Sequence, residues 1–323
     1  CLPIMEVDTC TAEESQQDEL QDTVMPAHTN IKDIKNKSRR AKAFVEMKRE
    51  KRKKKLQEAK EKKKLATKLG KNAPPKKQPH TIESLREKDD TMVEEEDEEL
   101  EHEEANDEYA SYFTKSYVPK ILITCSDNPH TKTIAFIREL CRIIPGAVPK
   151  WRSRSSIKKM VKKATDNGFT DILVVNEDRR IPNGLLVIHL PEGPSALFRL
   201  SNPKLCKDIH RNYNEITGHR PEVILNNFRT RLGRVVARML GALFHYDPEF
   251  KGRRVCTFHN QRDYIFFRHH RYEFKNTEKV KLRELGPRFT LRLQWLQQGA
   301  FDGDYEWALK RHEMETSRRR FFL

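Results

Sequence analysis

The feature that most restricts the fold of this 323-residue chain is that its charge comes in blocks. Residues 31 to 77 carry 21 Lys or Arg against 5 acids, and residues 78 to 117 carry 3 against 15. Blocks of one sign repel themselves and bury too little apolar surface to offset the entropy of ordering, so they stay extended or form solvated helices. A packed core must therefore come from residues 118 to 323, where short apolar runs alternate with turn residues. The chain is expected to divide into a charged tail over 1-117, a folded domain over 118-300 and a carboxyl-terminal extension over 301-323. Within the tail lie a basic arm (31-77) and an acidic run (83-108), the tail being largely disordered or helical. The arm is free of Gly and Pro from 31 to 69. Its densest stretch, Lys48, Arg49, Lys51, Arg52, Lys53, Lys54 and Lys55, suits a nuclear import signal or an RNA-contacting arm.

In the folded part, periodicity sets the class. ILIT at 121 to 124 is a buried strand, and Ile134, Ile137, Cys141 and Ile144 then repeat at helical spacing, with Asp127, Asn128 and Thr131 as candidate caps. SSIKKMVKKATDNG at 155 to 168 is a second helix with a basic outer face. TDILVVNED, GLLVIHLP and PSALFRL follow as strands joined by turn chemistry. PEVILNNF opens a second unit, and Thr230 is placed to cap the next helix. Leu232, Val235, Val236, Met239, Leu240, Leu243 and Phe244 form its apolar stripe, with Arg231, Arg234 and Arg238 lined along the other side. RRVCTFHNQ and YIFFRHHRYEF read as paired strands. Each half, about 118-205 and 206-300, runs strand, turn, helix, then sheet strands, which predicts an α/β fold with a duplicated unit.

Composition points to a polyanionic partner. The formal charge is +15, and residues 118 to 323 alone sum to +18. Between residues 253 and 292 only Asp263, Glu273, Glu278 and Glu284 face Arg253, Arg254, Arg262, Arg268, Arg271, Lys275, Lys279, Lys281, Arg283, Arg288 and Arg292. Alternation along 262 to 274 buries the early rings and takes Arg268, His269, His270 and Arg271 to an exposed surface. The missing counter-charge is most simply phosphate, which arginine forks bond bidentately. No phosphate loop, dinucleotide fingerprint, HExxH or GxSxG is present, and Asp127 with His130 or His259 with Asp263 are chance neighbours rather than acid/base pairs. No cofactor or metal is expected, since the six cysteines form no CxxC pair. They read as reduced thiols of a soluble cytosolic or nuclear protein, Cys125 and Cys141 being core residues. No apolar run approaches a membrane span. Three functions stay open: an RNA-binding assembly factor, a nucleic-acid enzyme, or a protein scaffold with incidental charge.

ILNNFRTRLGRVVARML, FHNQRDYIFFRHHRYEF and ELGPRFTLRLQWLQQG, in this order, resemble the Brix-domain family of ribosome-assembly proteins, with ILITCSD and NEDRRIPNGLLVIHLPEGPSALF also fitting. The resemblance covers residues 118 to 323. It implies a duplicated α/β domain similar to the anticodon-binding domain of class II aminoacyl-tRNA synthetases. It also implies a nucleolar, non-enzymatic factor of large ribosomal subunit precursors that binds ribosomal RNA and acts with a dedicated protein partner and other assembly factors. The family's RNA-binding segment falls on Glu284 to Gly299, so Arg283, Gly286, Pro287, Arg288, Phe289, Thr290 and Arg292 become candidate contacts. Arg231, Arg234, Arg238, Arg262, Arg268 and Arg271 join them on charge.

Overall fold

The computed structural model describes residues 31–69, 79–81, 83–88, 90–93, 97–209, 216–276, 279–314, 317 and 319–323. The start of the tail, the helix-breaking stretch near 72 to 79 up to residue 78, and three acids at 94–96 thus lie outside the described residues. The chain divides into two compact units at residues 79 and 80. The first contains α1 (Lys37–Leu69), one continuous helix of 33 residues. It follows from Lys, Glu, Ala and Leu being strong helix formers with no breaker among them. Nearly every position is solvent-exposed, including Phe44, Val45, Leu56 and Leu65, and Lys48 lies 4.8 Å over the Phe44 ring. The import candidates Lys48 to Lys55 all sit on this helix.

The second unit is built on one sheet of eleven strands. In chain order these are β1 (Ile121–Cys125), β2 (Ala147–Pro149), β3 (Asp171–Asp178), β4 (Ile181–His189), β5 (Ser195–Lys204), β6 (Glu222–Asn226), β7 (Arg254–Gln261), β8 (Tyr264–Asn276), β9 (Lys279–Glu284), β10 (Arg288–Gln297) and β11 (Tyr305–Ala308). Across the sheet they run β2-β1-β3-β4-β5-β10-β8-β7-β6, with β9 on β8 and β11 on β10. The duplication is visible in that order. β1 and β3 are parallel and continue into antiparallel β4 and β5, while β6 and β7 are parallel and continue into antiparallel β8 and β10. The halves join back to back where β5 pairs antiparallel with β10, as in Leu200↔Leu291 and Phe198↔Leu293.

After β5 comes the short α6 (Cys206–Ile209), and two longer helices, α4 (Thr131–Ile143) and α7 (Arg231–Ala242), occupy equivalent places between the parallel strands of each half and bury the same sheet face. Phe136, Ile137 and Leu140 of α4 meet Val236, Met239 and Leu240 of α7 in one core cluster. Thr230 caps α7 as its position implied, its hydroxyl accepting the Gly233 N–H at 2.9 Å. At α4 the expected caps are not used. His130 precedes the helix without a side-chain cap, and its N–H donates to Glu177 Oε2 at 2.9 Å. On the opposite face of the sheet, α5 (Ile157–Asp166) covers the amino-terminal half through a second cluster around Ile172, Val174, Leu186 and Ile188. The carboxyl-terminal half has no equivalent of α5: between α7 and β7 the chain forms only a 3-10 turn at Phe250–Gly252. That face of β7, β8 and β10 has no helix over it among the described residues.

The expected boundaries at 117 and 300 are corrected by packing. Helices α2 (Glu98–Asn106) and α3 (Ala110–Phe113), from the expected tail, belong to the folded unit. Leu100, Tyr109 and Tyr112 are buried, and the Tyr112 hydroxyl donates to the carbonyls of Gly241 (3.2 Å) and Phe244 (2.9 Å) at the end of α7. A few well-placed apolar anchors outweigh the unfavourable local composition. The last residues are equally integral: Leu323 is in the main core cluster, and Asp263 Oδ1 accepts the N–H groups of Phe322 (2.7 Å) and Leu323 (2.9 Å).

Candidate nucleic-acid interface

The uncovered face is organised by the β7–β8 hairpin. Arg262 and Asp263 both take left-handed conformations (φ 55° and 61°), the requirement of a two-residue turn matching strand twist. The turn fixes register: Gln261 pairs with Tyr264 and Phe258 with Phe267. Alternation then sends Ile265, Phe267 and His269 into the core and puts Tyr264, Phe266, Arg268 and His270 on the open side. On β10, paired through Phe266↔Thr290, the same rule turns Arg292 outward, and Arg199 of β5 lies directly opposite Arg292.

The result is a platform of rings and guanidiniums. Arg292 lies 5.1 Å over the Tyr264 ring and donates from Nη1 to its hydroxyl at 3.4 Å; Arg268 lies 5.9 Å from the Phe266 ring. Arg288 holds Glu284 in a two-pronged pair (Nε to Oε1 2.7 Å), while Arg268 Nε stands 3.9 Å from the same carboxylate. One carboxylate thus serves two arginines and the patch stays positive. Burial, and then Arg288, lowers the pKa of Arg268 from its ordinary value. Burial also pushes His270 below the ordinary imidazole value; Glu284 opposes this and Arg268 and Arg288 add to it, which favours the neutral ring.

Several candidates lie elsewhere. Phe289 is a core residue, stacked on Phe267 at 4.5 Å and edge-on to Phe136 at 5.5 Å. Gly286, Pro287 and Thr290 are buried. Gly286 has φ +80°, and a Cβ there would sit 2.8 Å from Ile209 Cδ1 and 3.1 Å from Cys206 Cα, so this glycine serves packing rather than a ligand. His269, expected at the surface, is fully buried because its place in the alternation precedes the point where the strand leaves the core. Its Nδ1–H donates to the Gly286 carbonyl (2.7 Å) and its Nε2 accepts from Arg254 Nε (3.1 Å). Arg254 is buried as well, its charge taken by the carbonyls of Thr217, His219 and Arg142. Arg271 and Arg283 are exposed cross-strand neighbours, and alternation sets Arg271 on the opposite side from Arg268. Arg262 is exposed at the hairpin tip. The Asp127–His130 and His259–Asp263 neighbours form no pair: His130 Nδ1 meets Glu177, and Asp127 accepts the Arg154 N–H at 3.1 Å.

The α7 arginines face the acidic run of their own chain. Arg231 pairs with Glu99 (2.9 Å) and Asp97 (3.5 Å), Arg234 with Glu104 (2.8 Å), and Arg238 with Asp107 (2.6 Å) and Glu104 (3.2 Å). Arg238 is the least exposed, donates also to the Glu104 carbonyl at 2.7 Å, and stacks on Phe113 at 4.1 Å. Charge-assisted bonds of this kind contribute about 1.5–3 kcal/mol. Arg238→Ala is therefore expected to loosen α2, with amide hydrogen exchange at Glu98–Asn106 speeding up at least about tenfold and that of α7 unchanged. Unaltered exchange in α2 would mean that Leu100 alone holds the helix. Sequence reading missed these pairs because their partners are separated by 130 residues or more. It also missed Arg199, whose position on the platform follows only from strand order, and the buried pair of His189 with Asp171 at 2.7 Å.

This architecture agrees with an independent comparison. The family model described as "Brix domain" matches residues 126–295, and the chain belongs to the Brix-domain family. Among its relatives, a Drosophila melanogaster chain named probable ribosome production factor 1 is 58% identical over 311 residues, spanning 93% of this chain and 77% of that one. The Danio rerio ribosome production factor 1 is 48% identical over 324 residues, spanning 99% of this chain and 98% of its own. A crystal structure of a probable ribosomal biogenesis protein from Aeropyrum pernix K1 aligns at a TM-score of 0.42 and 17% identity, covering 59% of this chain and 99% of that one.

Proposed function

We propose that this chain is a non-enzymatic ribosome-assembly factor that holds ribosomal RNA on the open face of its sheet. The observation that carries the reading is the uncovered platform of Tyr264, Phe266, Arg268, Arg288 and Arg292, with Arg199 beside it. Aromatic faces stack on bases, and clustered guanidiniums bond backbone phosphates, so the two together suit single-stranded or looped RNA. The names of the relatives, ribosome production factor 1, support the assembly role. In this reading the RNA is a large-subunit precursor, the site of action is the nucleolus, and other assembly factors, including a dedicated protein partner, share the particle. Helix α1 adds phosphate contacts through its solvent-facing lysines, and its Lys48 to Lys55 stretch serves nuclear import.

The deciding experiment is a salt titration of RNA binding. Pairing Arg292→Glu with Arg288→Gln avoids placing a new carboxylate beside Glu284. This double variant is expected to bind ribosomal RNA transcripts about 10- to 100-fold more weakly and to flatten the log-log salt slope by about 1.4, two contacts at about 0.7 each. Its melting temperature should stay within a few degrees of the parent. Equal affinity and slope for both proteins would remove the platform from consideration.

A further inference from the structure

Next to the platform, on the same sheet face, the cover of α5 ends and the floor of β4, β5 and β10 opens into a cleft of about 720 Å³. That is within the range of small-molecule sites and large enough for a nucleoside with its phosphate. Its chemistry is specific. Asn176 Nδ2 donates to Asn183 Oδ1 at 2.8 Å, which orients both amides. This leaves Asn176 Oδ1 as an acceptor and Asn183 Nδ2 as a donor with no protein partner among the described residues. An adjacent donor and acceptor complement the edge of a nucleobase. Gly184, between them and Arg199 in the strand pairing, keeps the floor bare; a Cβ there would come 3.3 Å from Asn176 Cβ. The half-buried indole of Trp295 lines the wall, held edge-on to Tyr305 at 5.7 Å and tilted against Phe301 at 6.1 Å. Arg152 stands at the opposite rim, its Nε anchored on the Ser155 carbonyl at 2.6 Å. The acid in the lining, Asp178, is outnumbered by Arg152 and Arg199.

We propose that this cleft takes one unstacked nucleotide of an RNA strand whose backbone crosses the platform. The base lies against Trp295, its edge is bonded by Asn176 and Asn183, and Arg199 carries the phosphate chain over from Arg292, its cross-strand neighbour. The inference rests on the RNA-binding reading above and adds base recognition to it. The paired amides suit the edge of a base and the arginine fork suits a phosphate, and a nucleotide carries both.

The test compares the full chain's affinity for 12-nucleotide single-stranded RNAs with its affinity for abasic ribose-phosphate strands of equal length, at one salt concentration. Base-bearing strands are expected to bind about tenfold more tightly, the size of one good stacking and edge contact. Asn183→Ala should lower that preference about threefold or more, the worth of the lost edge contact, and leave abasic binding unchanged. Asn183→Asp, which keeps the shape and replaces the donor by an acceptor, serves if the alanine variant folds poorly. The Arg292 variant should weaken both ligands equally. Equal binding of both strands by the parent, with salt dependence intact, overturns the cleft and the stacking on Tyr264 and Phe266 and leaves only the phosphate contacts of the platform standing, whereas a base preference undiminished in both Asn183 variants overturns the cleft alone. No binding of either strand overturns the RNA reading itself and the cleft with it.

Discussion

Truncating Phe289 to alanine is expected to destabilise the folded unit by about 3–5 kcal/mol, the usual cost of removing a buried phenyl ring and leaving its cavity. The ring is 4% exposed, stacks on Phe267 and meets Phe136 edge-on, so it ties β8 to β10 and both to α4. It also sits at the seam of the duplicated halves, where relaxation on one side would pull on the other, which keeps the cost near the top of the range. Urea denaturation of the variant would show the shift in midpoint. Its RNA affinity, measured under conditions where it stays folded, should match the parent. A loss of affinity without a loss of stability would restore Phe289 as a contact residue and refute its assignment to the core.

Acid should weaken the same region. His269 is fully buried, and desolvation holds its pKa at about 4, below the 6.5 of a free imidazole; the Gly286 carbonyl opposes this and Arg254 and His270 reinforce it. The folded state therefore disfavours the proton that the unfolded state accepts. Stability is whole above about pH 6.5, and is lost as pH falls from there towards 4. Across that window the loss reaches ~3 kcal/mol at 1.36 kcal/mol per pKa unit. Protonation would set imidazolium against the Arg254 guanidinium 3.1 Å away. His269→Gln should lower stability at pH 7 but flatten its decline between pH 6.5 and 4. An identical decline in parent and variant would show that another group sets the acid sensitivity.

How much of this was legible in the sequence depends on the range of the cause. The elements follow from local pattern: the stripe from Leu232 to Phe244 is a helix with Thr230 at its cap, and ILIT is a fully buried strand. The duplication showed as a repeated order of elements although the halves share little identity. Boundaries failed where a few anchors overrode composition, as Tyr109 and Tyr112 do for a stretch otherwise dominated by acids. For the site, alternation along β8 set Arg268 on the face of Tyr264 and Phe266, but those rings, expected inside, lie on the open side with it, and His269, expected outside, is in the core. The α7 arginines were read as RNA contacts because charge was counted along the chain, whereas their carboxylate partners arrive by folding. Trp295, Asn176 and Arg199 come together only through the order of strands, which no local pattern encodes.

The pairing of α2 with α7 has a consequence for approach from solution. With those guanidiniums paired to resident carboxylates, little unpaired positive charge is left along α7, whereas the sheet's bare side keeps more arginines than acids. On the proposed RNA reading, a long polyanion drifting in would be turned before it touched, arriving already presented to that side.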